Sequence, residues 1–475
     1  MTIVAERIFT AADQRSFAAL SGDFNPMHLD DVAARRTFFG APVVHGVHLL
    51  CWALDSWAGS CSRAQTALER VRANFDRGVL VGEVVRTYVL SHGEEFNLQI
   101  RRNQSPMVSI WGKLGPTVEY LESFPAVDPT ECRVMDPAEV GNAAGSLPLA
   151  YCAADASQLF PHLTTTLPAI QLAALLATTR LVGMECPGLL SLYAGLDLSF
   201  SEHAIGKPQL NYRVSRAIRF GAMSLAVDGP GFQGELRAFL RPKPCRQAAA
   251  SELARLVAKD AFSEQRAIVI GGSRGLGEVT AKLLAMGGAD VTITYHRGKV
   301  DAEAMADEIN GAGGKCDVAQ FDSNRPELFA SRRPLTHLYY FATPHVASDS
   351  TVPFSADRFA EYCSYYATGF AQTLLAIAQG AQKMNIFYPS TTFLDDARAH
   401  MPEYCAAKAV GEEVCKQLAK HFPDWCIYAP RLPRMRTDQN NGLVRVEMES
   451  PEIVLLRHLQ EMKTRSSTPT ARSCI

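Results

Sequence analysis

Two patterns of apolar positions divide the chain near residue 245. Before that point, long apolar stretches at helical spacing precede segments in which apolar and polar residues alternate, as in antiparallel strands with one buried face. After residue 262, short apolar runs such as 267–270 and 291–294 alternate with helical patterns, which is typical of β-α-β units. Pro242 and Pro244 precede a helical stretch between the two halves, and this stretch is predicted to be a linker helix.

The first 245 residues contain a weak internal repeat. In the first copy an apolar helix opens at Pro42 and an alternating strand follows at 71–75. In the second copy an apolar helix opens at Leu167 and a strand follows at 196–200. One long buried helix wrapped by a curved antiparallel sheet is the hot-dog arrangement, and two copies side by side would join their sheets. The repeat therefore predicts a double hot-dog, with two similar but unrelated α+β segments as the alternative.

The second half predicts a doubly wound parallel sheet of the Rossmann type. Its strands are expected at 267–270, 291–294, 316–321, 336–342, 384–389 and 425–429, with helices between them. The predicted fold class is therefore α/β and α+β. The predicted domains are a catalytic hot-dog at 1–125, a second, degenerate hot-dog at 126–245, a linker helix at 246–262 and a Rossmann domain at 263–475.

Composition narrows the function to small-molecule chemistry. Lys plus Arg numbers 47 against 49 for Asp plus Glu, so no chain-wide basic field exists to bind nucleic acid. The 12 cysteines show no zinc-ligand spacing, and we predict no metal site. The first residues lack the basic and apolar regions of a secretory signal, and the uncharged stretch 163–179 is too short to cross a bilayer, so a cytoplasmic protein without membrane insertion is expected.

The first candidate site lies in the polar segment Ser21-Gly22-Asp23-Phe24-Asn25-Pro26-Met27-His28. Asp23 and His28 flank the turn at Asn25-Pro26, so both side chains can enter one pocket as an acid/base pair. Such a pair removes an acidic α-proton and releases a β-hydroxyl as water. Gly46 stands at the start of the apolar helix, where a free N–H can bind a thioester carbonyl as it gains charge.

This segment, with Phe39-Gly40-Ala41-Pro42-Val43-Val44-His45-Gly46, resembles the MaoC-like R-specific enoyl hydratases and dehydratases over about the first 115 residues. The resemblance implies that Asp23 and His28 are the catalytic dyad, that Asn25 shapes the loop and that Gly46 is the oxyanion donor. Leu54 replaces a small polar residue of the family, which leaves Asp55 or Ser56 as substitutes.

Less specific interpretations accompany each of these residues. Asp23 alone is compatible with an Asx-turn or a helix cap. His45 and His48 lie beside the helix start and are expected to be packed or hydrogen-bonded rather than catalytic. The second repeat has no counterpart of the dyad, so we expect it to be a structural half that widens the acyl groove.

The second candidate site combines a glycine-rich turn with three polar residues. Gly271-Gly272-Ser273-Arg274-Gly275-Leu276-Gly277 lies between a predicted strand and a predicted helix, where a pyrophosphate can approach the backbone. Tyr404 and Lys408 share a helix face, so the ammonium is expected to lower the pKa of the phenol. Ser390 is the expected hydrogen-bond donor to a substrate carbonyl.

These residues resemble the short-chain dehydrogenases/reductases over about residues 262–440. The resemblance implies that Ser390, Tyr404 and Lys408 are catalytic. Two departures stand out: the family's Asn-Asn-Ala-Gly appears as Phe341-Ala342-Thr343-Pro344, and a helical Asn of the family corresponds to Tyr365.

NADPH is the expected cofactor. The second strand ends in Tyr295-His296-Arg297 without an acid to bind a ribose hydroxyl, whereas Arg274 and Arg297 can pair with a 2′-phosphate. The alternative for Arg297 is a solvated side chain. The resemblance adds Asp322 at the adenine and Thr437 at the nicotinamide amide. The predicted cofactor-binding residues are thus Gly271, Ser273, Arg274, Gly275, Leu276, Gly277, Arg297, Asp322 and Thr437.

The two sites together predict reduction of a 3-ketoacyl thioester followed by dehydration to a trans-2-enoyl thioester, on acyl carrier protein or coenzyme A, in fatty-acid or polyketide-like biosynthesis. The same residues permit the reverse, degradative sequence. A third possibility is a hydratase joined to a nucleotide-binding module that does not turn over. Both resemblances imply a homodimer.

Overall fold

A computed structural model describes residues 1–61, 65–116, 124–202, 205–219, 221–323, 325–326, 334–346, 353–377, 383–396, 401–441 and 447–467. The chain forms two compact units, one over Met1–Pro244 and one that begins at Cys245.

The first unit is built on one antiparallel sheet, which has ten strands in the part of the chain that the structure describes. The strands are β1 (Thr2–Ile8), β2 (Ala67–Phe75), β3 (Val84–Ser91), β4 (Glu95–Arg102), β5 (Ser105–Gly115), β6 (Ala144–Pro148), β7 (Ser191–Phe200), β8 (Gln209–Arg219), β9 (Ala222–Gly229) and β10 (Phe232–Leu240), in the order β1-β3-β4-β5-β2-β7-β10-β9-β8-β6. The order divides into two groups of five, and β2 pairs with β7 between them, from Arg70 opposite Ser199 to Asn74 opposite Gly195. The predicted double hot-dog is therefore confirmed.

Two apolar helices lie at the centre of this unit. The helices are α1 (Ala11–Ser21), α2 (Pro26–Leu29), α3 (Asp31–Ala34), α4 (Gly46–Cys61), α5 (Pro137–Gly141), α6 (Ala153–Leu159), α7 (Leu163–Thr166) and α8 (Ala169–Arg180), and a π-helical turn at Leu181–Glu185 continues α8. Most side chains of α4 and α8 are buried, because each helix is apolar on most of its circumference. One core contains residues of both halves, so the segments predicted as domains 1–125 and 126–245 form a single compact unit.

The second unit is built on a parallel sheet. Its strands are β11 (Arg266–Ile270), β12 (Asp290–Tyr295), β13 (Lys315–Gln320), β14 (His337–Tyr340), β15 (Met384–Phe387) and β17 (Trp425–Tyr428), in the order β13-β12-β11-β14-β15-β17, and the short strands β16 (Ser390–Thr391) and β18 (Arg431–Leu432) pair separately. The helices are α9 (Ala250–Leu253), α10 (Gly275–Met286), α11 (Lys299–Gly311), α12 (Ala356–Cys363), α13 (Phe370–Ile377), α14 (Pro402–His421) and α15 (Pro451–Ser467), with a π-helical turn at Ser364–Gly369. The strand order reverses beside β11, as in a doubly wound sheet, so the predicted Rossmann fold is confirmed.

The segment 246–262 differs from the prediction of a linker helix. Only Ala250–Leu253 forms an α-helix, and Leu253, Val257 and Phe262 are buried in the core of the second unit. The helical spacing of these apolar residues reflects their packing onto that core rather than a free helix between domains.

Among the helices that the structure describes, none combines the length and the apolar character needed to span a lipid bilayer.

Candidate active sites

The loop between α1 and α2 brings Asp23 and His28 together. The helix α1 ends at Gly22, whose positive φ of 78° is a left-handed cap that turns the chain. The side chain of Asn25 then caps α2 by accepting from the N–H of Met27 at 3.1 Å. One short turn therefore separates the two predicted catalytic residues.

One polar side-chain atom from each of Asp23, His28 and His45 lies within 4.8 Å of the other two. Nδ1 of His28 lies 2.7 Å from the carbonyl oxygen of Val43, so Nδ1 carries the hydrogen and Nε2 is left to accept a proton. Asp23 is 1% exposed and His28 9%. The predicted acid/base pair thus shares one nearly dry pocket.

Burial opposes charge on both members of this pair. It raises the pKa of Asp23 above its ordinary value and lowers the pKa of His28, while their mutual attraction acts in the opposite direction on each. The pair is therefore suited to exchanging a proton with a bound substrate.

The second hot-dog completes the surroundings of Asp23. The hydroxyl of Thr179, at the end of α8, donates to Oδ2 of Asp23 at 2.6 Å, and the amide of Asn25 donates to the carbonyl of Gly183 at 2.9 Å. A Cβ at Gly183 would lie 2.2 Å from the Asp23 carboxylate, so only glycine leaves room for the acid. The half expected merely to widen the groove thus supplies a hydrogen-bond donor to the dyad.

Gly46 begins α4, as predicted. Its N–H is one of the first helix amides, which have no carbonyl partner four residues earlier in the helix. A Cβ added at Gly46 would lie 3.0 Å from the ring of Phe75. The backbone amide of Gly46 is therefore the polar group that lies next to this ring.

The neighbouring histidines differ from each other. His48 stacks on Phe17 at 4.5 Å and burial lowers its pKa to about 3, so it is a packed residue. His45 stacks on His28 at 3.8 Å, and its Nε2 lies 3.0 Å from the carbonyl oxygen of Asp23. Its other nitrogen lies 2.9 Å from Gln14 Oε1 on α1, so the His45 ring lies between this helix and the dyad loop.

Asp55 and Ser56 do not replace the family's small polar residue. Oδ1 of Asp55 accepts from the N–H groups of His162 and Leu163, which begin α7, and Ser56 donates to the carbonyl of Trp52 on its own helix. Both side chains therefore serve the packing of helices.

In the second unit, Tyr404 and Lys408 lie one turn apart on α14. The Lys408 ammonium lies 5.9 Å from the centre of the Tyr404 ring. Contrary to the prediction, the pKa of Tyr404 is raised to about 12, mainly by burial, which outweighs the opposing effect of the Thr391 hydroxyl. Burial also lowers the pKa of Lys408 to about 7.

The position of Ser390 also differs from the prediction. Its hydroxyl donates to Glu412 at 2.5 Å, and Arg431 holds the same carboxylate through bonds of 2.8 and 2.9 Å. The hydroxyl that lowers the pKa of the Tyr404 phenol, against the effect of burial, is that of Thr391. Successive side chains of a strand point to opposite faces, so a shift of one residue exchanges the two hydroxyls.

The glycine-rich turn follows β11 and opens α10. Gly271 has φ +72°, and a Cβ there would lie 2.9 Å from the backbone of Phe341. A Cβ at Gly277 would lie 2.3 Å from the carbonyl oxygen of Gly271, so this glycine lets helix and turn approach closely. At Gly275, with φ +61°, the nearest atom to a Cβ is the Thr437 methyl at 3.9 Å. The turn therefore leaves open space above the amino end of α10.

The remaining predicted cofactor residues lie within this turn or shortly after β12 and β13. Ser273, Arg274 and Leu276 are half-exposed within it, and Arg297 is exposed two residues after β12. Asp322 is half-buried, with one carboxylate oxygen 3.9 Å from Nδ1 of His296.

The two segments that differ from the reductase family, 341–344 and the π-helical turn that contains Tyr365, contact each other. The Thr343 hydroxyl lies 2.5 Å from the hydroxyl of Tyr366, the residue after Tyr365 in the π-helical turn. The carbonyl of Tyr365 accepts from Tyr340, and the carbonyl of Tyr366 accepts from Tyr388. Tyrosine hydroxyls thus satisfy the backbone groups that this turn frees.

Sequence reasoning missed Thr179, Gly183, Thr391 and Tyr366. Thr391 follows Ser390 directly, so the run of hydroxyls was the available signal. Thr179 lies 156 residues from Asp23, and no motif links the two positions.

Comparison with known proteins supports this division of the chain. Residues 2–106 match the family model described as MaoC like domain, and residues 265–330 match that of short chain dehydrogenase. An (R)-specific enoyl-CoA hydratase of Aeromonas caviae is 56% identical over 41 residues, which are 9% of this chain and 31% of that protein. The short-chain dehydrogenase/reductase FrzI of Cladobotryum sp is 44% identical over 64 residues, which are 14% of this chain and 25% of that protein. The matched segments thus span about a quarter to a third of these relatives.

Among solved structures, a short chain dehydrogenase from Burkholderia cenocepacia J2315 in complex with NADP is 22% identical, with a TM-score of 0.39, over 45% of this chain and 94% of its own. A 3-oxoacyl (acyl-carrier-protein) reductase from Agrobacterium tumefaciens C58 with NADP bound is 17% identical, with a TM-score of 0.37, over 42% and 87%. From the two family models, the chain joins a MaoC-like domain, matched over residues 2–106, to a short-chain dehydrogenase domain, matched over residues 265–330.

Proposed function

We propose that this protein reduces a 3-ketoacyl thioester with NADPH and dehydrates the resulting 3-hydroxyacyl thioester to a trans-2-enoyl thioester. The observation that carries the proposal is that one unit holds Asp23 and His28 in one buried pocket and the other unit holds Tyr404 and a glycine-rich turn.

In the dehydration step, the dyad removes a proton from the α-carbon and returns a proton to the β-hydroxyl, which leaves as water. Nε2 of His28 is the free imidazole nitrogen, because Nδ1 is bound to Val43. The Gly46 amide stabilises the negative charge that grows on the thioester oxygen. Thr179 keeps the Asp23 carboxylate in place while the proton moves.

The second unit fits a dinucleotide, because the space above Gly275 would admit a pyrophosphate at the amino end of α10. When bound there, NADPH would supply the hydride for the ketone. Arg274 and Arg297 are the cations available for its 2′-phosphate. Tyr404 gives its phenolic proton to the carbonyl oxygen, and Thr391 orients the phenol.

The charge state of Tyr404 fits proton donation to a ketone. With a pKa of about 12, the phenol keeps its proton at neutral pH. Oxidation of the alcohol passes through the same transition state in reverse, so the direction of the net reaction follows from the concentrations of substrate and cofactor and not from this pKa. The biosynthetic direction rests on the proposed use of NADPH.

Three assays test the proposal. With 3-ketoacyl thioesters of coenzyme A and of acyl carrier protein, NADPH should be consumed faster than NADH. Tyr404→Phe should lower that consumption by at least about 100-fold, since general acid catalysis contributes about that much or more. Asp23→Asn should abolish water loss and leave ketoreduction intact. Consumption of NADPH that Tyr404→Phe leaves unchanged, or joint loss of both reactions in Asp23→Asn, would contradict the assignment.

A second candidate function is a hydratase joined to a nucleotide-binding unit without turnover. The observation in its favour is that the Lys408 ammonium is buried and donates to the carbonyl of Pro389 at 2.7 Å. This alternative predicts that NADPH binds, as measured by a rise in Tm, without being consumed.

A further inference from the structure

The Lys408 side chain lies in a pocket made largely of aromatic rings. Its Nζ lies 4.0 Å from the centre of the Tyr366 ring, 5.0 Å from that of Tyr388 and 5.9 Å from that of Tyr404. Lys408 is only 5% exposed, and its ammonium donates a hydrogen bond to the carbonyl of Pro389. An ammonium removed from water to this degree needs other groups that favour its charge.

The carboxylate nearest along α14 contributes little to that need. Glu412 accepts two bonds from Arg431 and one from Ser390, so its charge is already compensated. Cys415, the other titratable group that acts on Lys408, is neutral at ordinary pH because burial raises the pKa of its thiol. The faces of aromatic rings attract cations through their quadrupoles. The ring faces, together with the carbonyl of Pro389, are therefore the groups that stabilise this ammonium.

The two closest rings are fixed to each other and to the helix that carries Lys408. The hydroxyl of Tyr388 donates to the carbonyl of Tyr366 at 2.9 Å, and the hydroxyl of Tyr366 is bound to Thr343. Gly411 lies one turn after Lys408, and a Cβ there would lie 1.9 Å from the Tyr388 hydroxyl and 2.6 Å from the Tyr366 carbonyl. A glycine in the interior of a helix is unfavourable, and here it allows α14 to pass against both tyrosines.

We propose that Tyr366 and Tyr388 form an aromatic cage that holds the Lys408 ammonium beside Tyr404 and keeps it charged, which makes both tyrosines positioning residues. The role in reduction rests on the proposed function, whereas the cage itself does not. In this arrangement two effects act on the charge of Lys408 in opposite directions. Burial disfavours the charged ammonium, and the aromatic rings favour it.

The first test is the pH profile of ketoreduction in Tyr366→Leu, Tyr366→Phe and Tyr362→Leu. The wild-type rate should fall as pH rises through about 7, where Lys408 loses its proton. Tyr366→Leu should move that midpoint down by about one pH unit, a tenfold change in the ionisation constant. Tyr366→Phe keeps the ring and should leave the midpoint in place. Tyr362→Leu is the matched control, because Tyr362 is an equally buried ring packed on Tyr404 at 6.2 Å.

The second test needs no enzymatic activity. Each variant is paired with Lys408→Met, and Tm is measured from pH 6 to 10. Because the pKa of Lys408 is lower in the folded chain than in the unfolded one, methionine should stabilise most below about pH 7 and progressively less as pH rises from there. In the Tyr366→Leu background, the gain in Tm from Lys408→Met should begin to shrink at a pH about one unit lower.

The Tm series tests the aromatic cage by itself, and the pH profile tests its role in the proposed reduction. A midpoint that Tyr366→Leu leaves unmoved or raises, in the Tm series, overturns the cage. A shifted Tm series without any ketoreduction supports the cage and overturns the proposed reduction. An equal shift in Tyr362→Leu overturns the assignment to Tyr366, since it would show a general effect of lost packing.

Discussion

At the scale of single residues, the chemistry of the first site depends on how little water reaches Asp23. The carboxylate has a partner for each oxygen: Thr179 donates to Oδ2 and the N–H of Asn25 donates to Oδ1 at 3.2 Å. These bonds favour the charged form, whereas burial opposes it more strongly. Burial also opposes the charge on His28. Because this charge is positive, burial lowers the pKa of the imidazole. The two pKa values therefore move towards each other.

This convergence predicts the pH dependence of the hydratase reaction. The pKa of Asp23 lies above its ordinary 3.8 and that of His28 below its ordinary 6.5. The form with an ionised carboxylate and a neutral imidazole is lost when protons are added as pH falls. Hydration of a trans-2-enoyl thioester should therefore be flat from pH 6.5 to 8 and should fall on the acid side of 6.5. Circular dichroism at each pH provides the control for unfolding, and a midpoint above 6.5 contradicts the expectation.

Substitution of Thr179 tests the contribution of the second hot-dog directly. Thr179→Val preserves the shape of the side chain and removes the hydrogen bond to the buried carboxylate. A hydrogen bond to a charged group contributes about 1.5–3 kcal/mol, so we expect hydration kcat to fall about 10- to 100-fold. Thr179→Ser restores a hydroxyl and should recover most of the rate. Equal kcat in the valine and serine variants would show that the bond has no catalytic role.

At the scale of elements, both sites lie beside π-helical turns. The turn Leu181–Glu185 continues α8 and presents the carbonyl of Gly183 to Asn25. The turn Ser364–Gly369 precedes α13 and presents the carbonyl of Tyr366 to Tyr388. A π-turn frees carbonyls from the regular ladder, so side chains elsewhere can bind them. In each unit this irregularity ties a segment next to the candidate catalytic residues to a helix of the core.

The first π-turn leads to a prediction for Gly183→Ala. The added Cβ would lie 2.2 Å from the Asp23 carboxylate, which has to move. Displacement of a catalytic group by about 1 Å costs about 100-fold in rate, and we expect a loss of that size in hydration. Ketoreduction should be unchanged. Gly141→Ala is the matched control, because a Cβ at Gly141 meets nothing within 4 Å. Equal hydration rates in the two variants would exclude a role for the close approach.

At the scale of the whole molecule, the sequence predicted what depends on local pattern and missed what depends on distant contacts. Apolar periodicity found both sheets, and the turn at Asn25-Pro26 placed Asp23 beside His28. The role of Thr179 could not be predicted, because its partner Asp23 lies 156 residues away and a threonine in an apolar helix has no distinctive sequence signal. That the hydroxyl of Thr391, and not that of Ser390, acts on the Tyr404 phenol could not be predicted, because the facing of two adjacent hydroxyls depends on strand register, which residue type does not reveal.

The division into two compact units predicts that the two reactions are separable in solution. In the described residues, the groups assigned to dehydration all lie within Met1–Pro244, and those assigned to reduction lie after Cys245. An equimolar mixture of Asp23→Asn and Tyr404→Phe should therefore convert a 3-ketoacyl thioester and NADPH to the enoyl thioester, although neither variant does so alone. The first variant would release the 3-hydroxyacyl thioester and the second would dehydrate it. Mass spectrometry should detect this intermediate before the product, after a lag that shortens as protein concentration rises. A mixture that stays inactive would mean that each reaction requires groups from both units of the same chain.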